Sequence, residues 1–316
     1  MRRIPTSARG ARFIGWGTAL GHDTVTNHDL EQKMDTSDEW IRERTGIERR
    51  HIGGSNVELS TESGRRALEM AGVDPLSIDA LVLATTTPDR GVPGTSASVQ
   101  HSLGLKCGAF DVNAACSGFV YSLVTAHGLI AMGAERVLLI GTDVLSRITD
   151  WNDRNTAILF ADGSGAAVLE ATSDSGHLLG WDLDADGSLE NLLYQDHGDF
   201  IKMDGKEVFR RAVRIMVDSA TKSIAHAGVT SDDIALVVPH QANIRIISAA
   251  CDRLNMPLEK AATVIHETGN TSSASIPLAL FDAANKGRIK EGDLVLLVGF
   301  GAGMTAASAV IRWTAR

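Results

Sequence analysis

Two stretches of this chain repeat each other at long range, and that repeat restricts the fold more than any other feature. AGVDPLSIDALVLATTTP begins at Ala71, and AGVTSDDIALVVPHQ begins at Ala227, 156 positions later. Each follows an amphipathic helical stretch, ESGRRALEM in one case and RIMVDSATKSIAH in the other, and runs into a short apolar strand. Farther on, ERVLLIGTDV with Val137 is echoed by GDLVLLVGFGAG with Val295, an offset of 158. Near-equal offsets at two separated places indicate two related halves of about 155 residues. Both alternate helix with apolar strand, so the expected fold class is α/β, with largely buried sheets covered by helices. Periodicity lapses in ATSDSGHLLG, residues 171 to 180, which sets the halves at 1–172 and 173–316. No long linker separates them, so they are expected to pack as one layered body.

Composition removes several classes of function. A chain of 316 residues, 44% hydrophobic and 22% charged, can bury a large core. Its net charge of −9 supplies no basic excess to neutralise phosphates, which excludes a general nucleic-acid binder. No apolar run approaches the roughly 20 residues of a membrane span. The start, MRRIPTSARGARFIGWG, is basic without a sustained apolar segment, so no signal peptide is read there. Cys107, Cys116 and Cys251 are scattered and form no C-x-x-C pair. That suits a reducing cytosol and gives neither a disulfide framework nor a zinc site.

One of these cysteines has a distinctive setting. In DVNAACSGFVYS, Cys116 follows the run CGAFDVNAA, which reads as a buried strand, and precedes FVYSLVTAHGLIAMGA, which reads as a helix. A strand-to-helix turn aims backbone N–H groups and the positive end of a helix dipole at the sulfur, which favours thiolate. The same position suits an inert cysteine acting as a small buried hydrophobe, so two readings of Cys116 stand at this point.

In the second half, three stretches stand at strand ends, where open α/β sheets gather ligand sites. VVPHQANIRII carries His240, VIHETGNTSSASIPLAL carries Asn270 in a Gly-Asn-Thr turn, and VLLVGFGAGMTAAS ends in a turn with Gly301 and Gly303. His240 can equally be a hydrogen-bonded structural residue, and Asn270 a helix cap. GFGAG is no dinucleotide fingerprint, because Ala306 stands where its third glycine belongs. DLDADGSLE, from Asp182, imitates a calcium loop, but its twelfth position is Leu193 rather than Glu. His127 and His226 sit in helical patterns and take no role.

Together these stretches resemble the β-ketoacyl-acyl carrier protein synthase III family of thiolase-fold condensing enzymes. The resemblance runs over nearly the whole chain: DTSDEWIRERTGIERRHI, AACSGF, DRNTAILFADGSGAAVL, VPHQAN, GNTSSAS and the GFGAG end. A cysteine, a histidine 124 positions on and an asparagine 30 beyond that, each in its own motif, make it specific. It implies a thiolase-like fold and a decarboxylative Claisen condensation of an acyl-coenzyme A primer with malonyl-acyl carrier protein, starting fatty acid synthesis. Cys116 would be the nucleophile, and His240 and Asn270 the N–H donors to the malonyl enolate. The backbone N–H groups of Cys116 and Ala302 would hold the oxyanion of acyl transfer.

The resemblance also assigns coenzyme A or pantetheine contacts to Trp40, Arg44, Arg154, Gly205, Phe209, Ala242 and Asn243. Trp40 and Arg44, four apart, would clasp an adenine by stacking. Arg210, Arg211 and Arg214, with Arg245 and Arg253, would dock the acidic carrier protein. Val92 and Phe300 would line the acyl pocket, Val92 by reaching a neighbouring subunit's cavity. Two departures put smaller side chains in that neighbourhood and so imply a larger cavity: Ala306 where well-known members often have Trp, and Val92 where some have Phe. The resemblance further implies a cytoplasmic homodimer that uses no metal or redox cofactor and has no nucleic-acid or membrane partner. Two alternatives keep parts of this picture. A condensing enzyme or acyltransferase of secondary metabolism would use the same three residues. A non-catalytic scaffold that binds acyl carrier protein is disfavoured, because all three are present.

Overall fold

The computed structural model describes residues 9–174 and 177–314. Residues 1–8, in the basic leading stretch, and 175–176, in the expected seam, lie outside them. The first sheet comprises β1 (Ala11–Leu20), β2 (Ala80–Ala84), β3 (Gly108–Val112), β4 (Arg136–Val144) and β5 (Asp162–Ala171). Its order is β1-β5-β4-β2-β3, antiparallel at β1/β5 and β5/β4 and parallel at β4/β2 and β2/β3. The second sheet comprises β6 (Leu178–Asp184), β7 (Ile234–Pro239), β8 (Leu294–Gly301) and β9 (Thr305–Arg312). Its order, β6-β9-β8-β7, repeats β1-β5-β4-β2 strand for strand and direction for direction.

The repeated Ala-Gly-Val marks the same event in both halves. After α1 (Asp38–Thr45), helix α2 (Asn56–Ala71) ends at Ala71, and α5 (Gly205–Ala227) ends at Ala227. Gly72 and Gly228 then take left-handed φ values of 65° and 71°, which a side chain disfavours and which close the last helical turn. Between the sheets lie α4 (Gly118–Ala131) and α7 (Ser275–Asn285). Both are apolar on nearly every side, as a doubly covered helix must be. Phe119, Leu123 and Ile130 of α4, with Ile276, Leu280 and Phe281 of α7, share one core with strands of both sheets. Each such fully buried side chain contributes roughly 1.5–3 kcal/mol. Helices α2 and α3 (Thr95–Ser102) cover the outer face of the first sheet, and α5 and α6 (Ile244–Arg253) cover that of the second. The result is five layers.

One expectation fails here. The run before Cys116 reads as a buried strand, yet β3 is an edge strand, paired with β2 alone among the described residues, and Phe110 is 40% exposed. An apolar run reports that a strand wants cover, and not whether its own chain supplies it. Among the described residues, no helix is long and apolar enough to cross a membrane.

His127 of α4 takes no part in the site, but its burial has a consequence. Burial, reinforced by nearby His177, holds its pKa down to about 4. Below about pH 6.5 the unfolded chain therefore binds a proton that the folded chain refuses. Stability should be full above that pH and decline toward pH 4, with His127 accounting for roughly 3 kcal/mol of the loss. Urea midpoints measured from pH 7 to pH 4 should fall, and His127→Leu should make the fall shallower. An equally steep fall in the variant would count against this origin.

Candidate active site

Three turns at one end of the sheets converge on a common space. The first is the short helical turn Ala115–Ser117, which joins the loop after β3 to α4. The second, around Asn270–Ser272, leads into α7, and the third, Gly301–Met304, joins β8 to β9. Each contains a non-glycine residue in left-handed conformation: Ala115 at φ 47°, Ser272 at 51° and Met304 at 43°. Such strain costs of order 1 kcal/mol or more at each position and clusters where geometry serves chemistry. The turns are also bonded together: Thr305 Oγ1 donates to the Ala114 carbonyl at 3.1 Å, and Ser117 Oγ to that of Thr305 at 3.3 Å. Gly301 runs so close to the first turn that an added Cβ would lie 2.6 Å from the Cys116 nitrogen.

His240 follows β7. Its N–H donates to Val298 O at 2.8 Å, its Nδ1 lies 2.6 Å from Ser275 Oγ, and its ring stands edge-on to Phe300 at 5.5 Å. Gln241 pins the turn from below: Nε2 donates to Pro239 O and Ala262 O, while Oε1 accepts from Val264 N–H. Burial depresses His240 to about 3, so the imidazole is neutral at pH 7. Asn270 exchanges backbone hydrogen bonds with Leu159 and Ala161, both at 2.9 Å. Its Oδ1 accepts from Ser272 N–H at 2.9 Å, leaving the NH₂ as the end available to the cavity. The capping expectation is thus half right, since the oxygen caps a turn and the nitrogen stays free to act.

Two cavities meet at Cys116. One, about 90 Å³, is lined by Cys116, His240, Asn270 and Phe300, with Gly205, Phe209, Ala242 and Asn243. The other, about 250 Å³, is lined by Cys116, Ala302, Phe160, Leu145, Ile148, Tyr194 and Ser272. The thiol is pushed up to about 12 by burial, partly opposed by the Ser272 hydroxyl and the cysteine's own N–H, with the Asp143 charge adding to the rise. The expected preference for thiolate is therefore outweighed, and the resting pair is a thiol beside a neutral imidazole.

Asp143, near the end of β4, is wholly buried. Its Oδ1 accepts from the hydroxyls of Thr85, Thr86 and Thr87 and from Thr86 N–H, at 2.7–3.1 Å. Its Oδ2 accepts from Ser273 N–H at 3.0 Å and Ser273 Oγ at 2.7 Å. Sequence reasoning passed over Asp143, Gln241, Ser272 and Ser275. All four lie inside stretches it quoted, but their partners are set by folding.

Other expected residues divide. Gly205, Phe209, Ala242 and Asn243 line the triad cavity, and Asn243 Nδ2 donates to Arg44 O at 2.9 Å. The slot expected between Trp40 and Arg44 is not open: the guanidiniums of Arg44 and Arg154 stand 4.7 and 4.8 Å from the Trp40 ring centroid. Phe300, expected in the acyl pocket, lines the cavity shared by Cys116, His240 and Asn270 and stands edge-on to His240. Val92 lines neither cavity and is 86% exposed in the single chain. Arg245 lies against Phe209 at 5.6 Å and Arg253 is exposed on α6. Arg210, Arg211 and Arg214 line a separate groove whose other wall is Asp182, Asp184 and Asp186, so that surface is of mixed sign. Among the described residues, no cluster of His, Cys, Asp or Glu could hold a metal ion.

Several known proteins are similar to this chain. Residues 110–187 match the family model for 3-oxoacyl-[acyl-carrier-protein] synthase III, and residues 224–313 match the model for its C-terminal region. The chain is 47% identical over 306 residues to β-ketoacyl-[acyl-carrier-protein] synthase III 1 of Bacillus anthracis, covering 95% of this chain and 98% of that one. The crystal structure of 3-oxoacyl-[acyl-carrier-protein] synthase III from Aquifex aeolicus superposes with a TM-score of 0.94 at 42% identity, covering 96% of this chain and all of that one. The priming β-ketosynthase of the R1128 polyketide pathway superposes at 0.92 with 35% identity, covering 99% and 98%. The fold is the thiolase fold, and the chain belongs to the β-ketoacyl-acyl carrier protein synthase III family.

Proposed function

We propose that this enzyme condenses an acyl-coenzyme A primer with malonyl-acyl carrier protein, releasing coenzyme A and CO₂ and starting fatty acid synthesis. The observation that carries this is the convergence of Cys116, His240 and Asn270, from three turns, on one cavity, while Cys116 also faces a second. Residues 1–172 thus supply the nucleophile and 173–316 the two N–H donors. Cys116 Sγ attacks the acyl-coenzyme A carbonyl, one thioester replaces another, and the thiol proton leaves on the coenzyme A sulfur. The N–H groups of Cys116 and Ala302 hold the oxyanion. A malonyl thioester then loses CO₂, and the bonding electrons become an enolate held by His240 Nε2–H and the Asn270 NH₂. Its carbon attacks acyl-Cys116 and expels the sulfur as thiolate, which takes up one proton from solvent to restore the resting thiol. The scheme calls for no metal or redox cofactor.

Gly205, Phe209, Ala242 and Asn243 would flank the pantetheine arm. Trp40, with Arg44 or Arg154 withdrawn from its ring, would stack the adenine. Arg245 and Arg253 beside that cavity, with Arg210, Arg211 and Arg214, would receive the acidic carrier protein. The enzyme would work in the cytoplasm. The 35% identity to a priming ketosynthase of a polyketide pathway supports a second reading, the same chemistry feeding secondary metabolism. Primer and carrier-protein preference separates the two.

Measuring the half-reactions separately tests the division of labour. Cys116→Ala should gain no acyl mass from acyl-coenzyme A. Asn270→Ala should still be acylated but condense about 10²–10³ more slowly, the usual cost of one such donor. Acyl mass on the alanine variant, or equal losses in both steps for Asn270→Ala, would overturn the scheme.

A two-fold dimer follows from the exposed edge. Strand β3 presents Phe110 there, and its Asp111 carboxylate accepts from Thr95 and Ser96 N–H, both at 2.8 Å, holding the loop that carries Val92. Joining two β3 edges would cover both and bring Val92 to the partner's acyl cavity. Sedimentation should give twice 33.6 kDa, and a monomer at micromolar concentration would refute the dimer. Val92→Phe should then depress kcat/KM for longer primers while sparing acetyl-coenzyme A, since each unfilled methylene space is worth roughly 0.8 kcal/mol. An unchanged chain-length profile would remove Val92 from the pocket.

A further inference from the structure

We propose that Ser275 fixes the tautomer of His240, keeping its proton on Nε2 so that the ring enters the reaction as a hydrogen-bond donor. This rests on the condensation proposed above and names the residue that prepares one of its two donors. Ser275 is a positioning residue: it touches the histidine, and His240 faces the cavity.

The hydrogen-bond inventory assigns the direction. Two polar groups approach Ser275 Oγ: the backbone N–H of Gln241 at 3.3 Å and Nδ1 of His240 at 2.6 Å. The Gln241 amide can only donate. A serine hydroxyl has one proton and two lone pairs, so the amide occupies a lone pair and the proton needs an acceptor. Among the described residues, His240 Nδ1 is the acceptor that reaches it. Ser275 O–H therefore donates to Nδ1, and a neutral imidazole that accepts at Nδ1 carries its proton on Nε2.

Burial makes this choice binding. His240 is 1% exposed and Ser275 wholly buried, so water cannot supply a substitute partner cheaply. The imidazolium, which would present N–H at both nitrogens, is suppressed by the same burial. Phe300 against the ring and Gln241 beneath the turn hold the imidazole in place. The opposite tautomer would turn a lone pair toward the enolate oxygen and repel the charge it must stabilise.

Ring ¹⁵N spectra of the full-length enzyme with labelled histidine read the tautomer directly, the His240 signals being those lost in His240→Gln. The wild type should show a protonated Nε2 and an unprotonated Nδ1 across pH 6 to 8, and Ser275→Ala should mix the two tautomers. Ser275→Ala should also lower condensation about 10- to 100-fold, the range seen when a metal-bound histidine loses its outer hydrogen-bond partner. Acylation of Cys116 should stay within about twofold, and Ser275→Thr, which keeps the hydroxyl, should recover part of the rate. A wild-type spectrum with the proton on Nδ1 overturns the proposal without any variant having to fold. So does a Ser275→Ala enzyme that loses both half-reactions equally, or one that keeps a single tautomer and full condensation. If His240→Ala condenses at the wild-type rate, the condensation scheme fails instead, whatever the tautomer.

Discussion

A single buried carboxylate joins the two halves at the place where the chemistry is assembled. Asp143 receives four hydrogen bonds from Thr85, Thr86 and Thr87 of the first half and two from Ser273 of the second. An ionised carboxylate in an interior is costly unless its lone pairs are met, and here six donors meet them. The backbone of Ser273 is thereby held against β4, and Gly141 makes the approach possible: a Cβ there would lie 2.5 Å from Ser273 O. Asn270, Ser272 and Ser275 all belong to the segment anchored in this way, so one ion fixes the loop that serves both the cysteine and the histidine. The same charge opposes ionisation of Cys116. The contact that assembles the site therefore works against a standing thiolate, which suits a thioester exchange whose proton has only to reach the departing sulfur.

The duplicated fold explains how three residues from distant sequence arrive together. Cys116 sits on the turn before α4, and Asn270 on the turn before α7, the central helix of the other half. His240 follows β7, whose counterpart β2 is followed by Thr85 and Thr86, both donors to Asp143. Equivalent positions of one scaffold thus carry the proposed nucleophile, the two proposed N–H donors and the carboxylate's partners. Each lies on a tight turn fixed by buried helices and strands, which limits its freedom before any substrate binds.

Much of this was legible in the sequence, and the failures share a cause. The repeat gave two related α/β halves and the helical stretches that run up to Ala71 and Ala227, because periodicity is local physics. Cys116, His240 and Asn270 stood in recognisable motifs. What misled was reasoning from neighbours in sequence about effects set by neighbours in space. The helix-end argument for a thiolate is worth about 0.3–2 kcal/mol, and burial by distant residues outweighs it. The apolar run before Cys116 could not announce that β3 is an edge. Asp143 bonds Ser273 across 130 positions and Ser275 bonds His240 across 35, and no spacing rule reaches that far.

The two pKa displacements run in opposite directions but both favour the uncharged form, and on the proposed scheme that would promote decarboxylation. Burial raises Cys116 and lowers His240, so both rest uncharged. Their cavity is walled by Phe300, Phe160, Phe209, Leu159, Val208 and Ile246, and among the described residues no lysine or arginine lines it. A malonyl carboxylate brought there exchanges water for apolar walls and finds no counter-ion, which raises its energy. On the proposed scheme, loss of neutral CO₂ would move that charge onto the enolate oxygen, to which His240 and Asn270 would each direct an N–H. The same cavity would then be poor for the starting anion and well furnished for the one that replaces it, a difference that would lower the barrier.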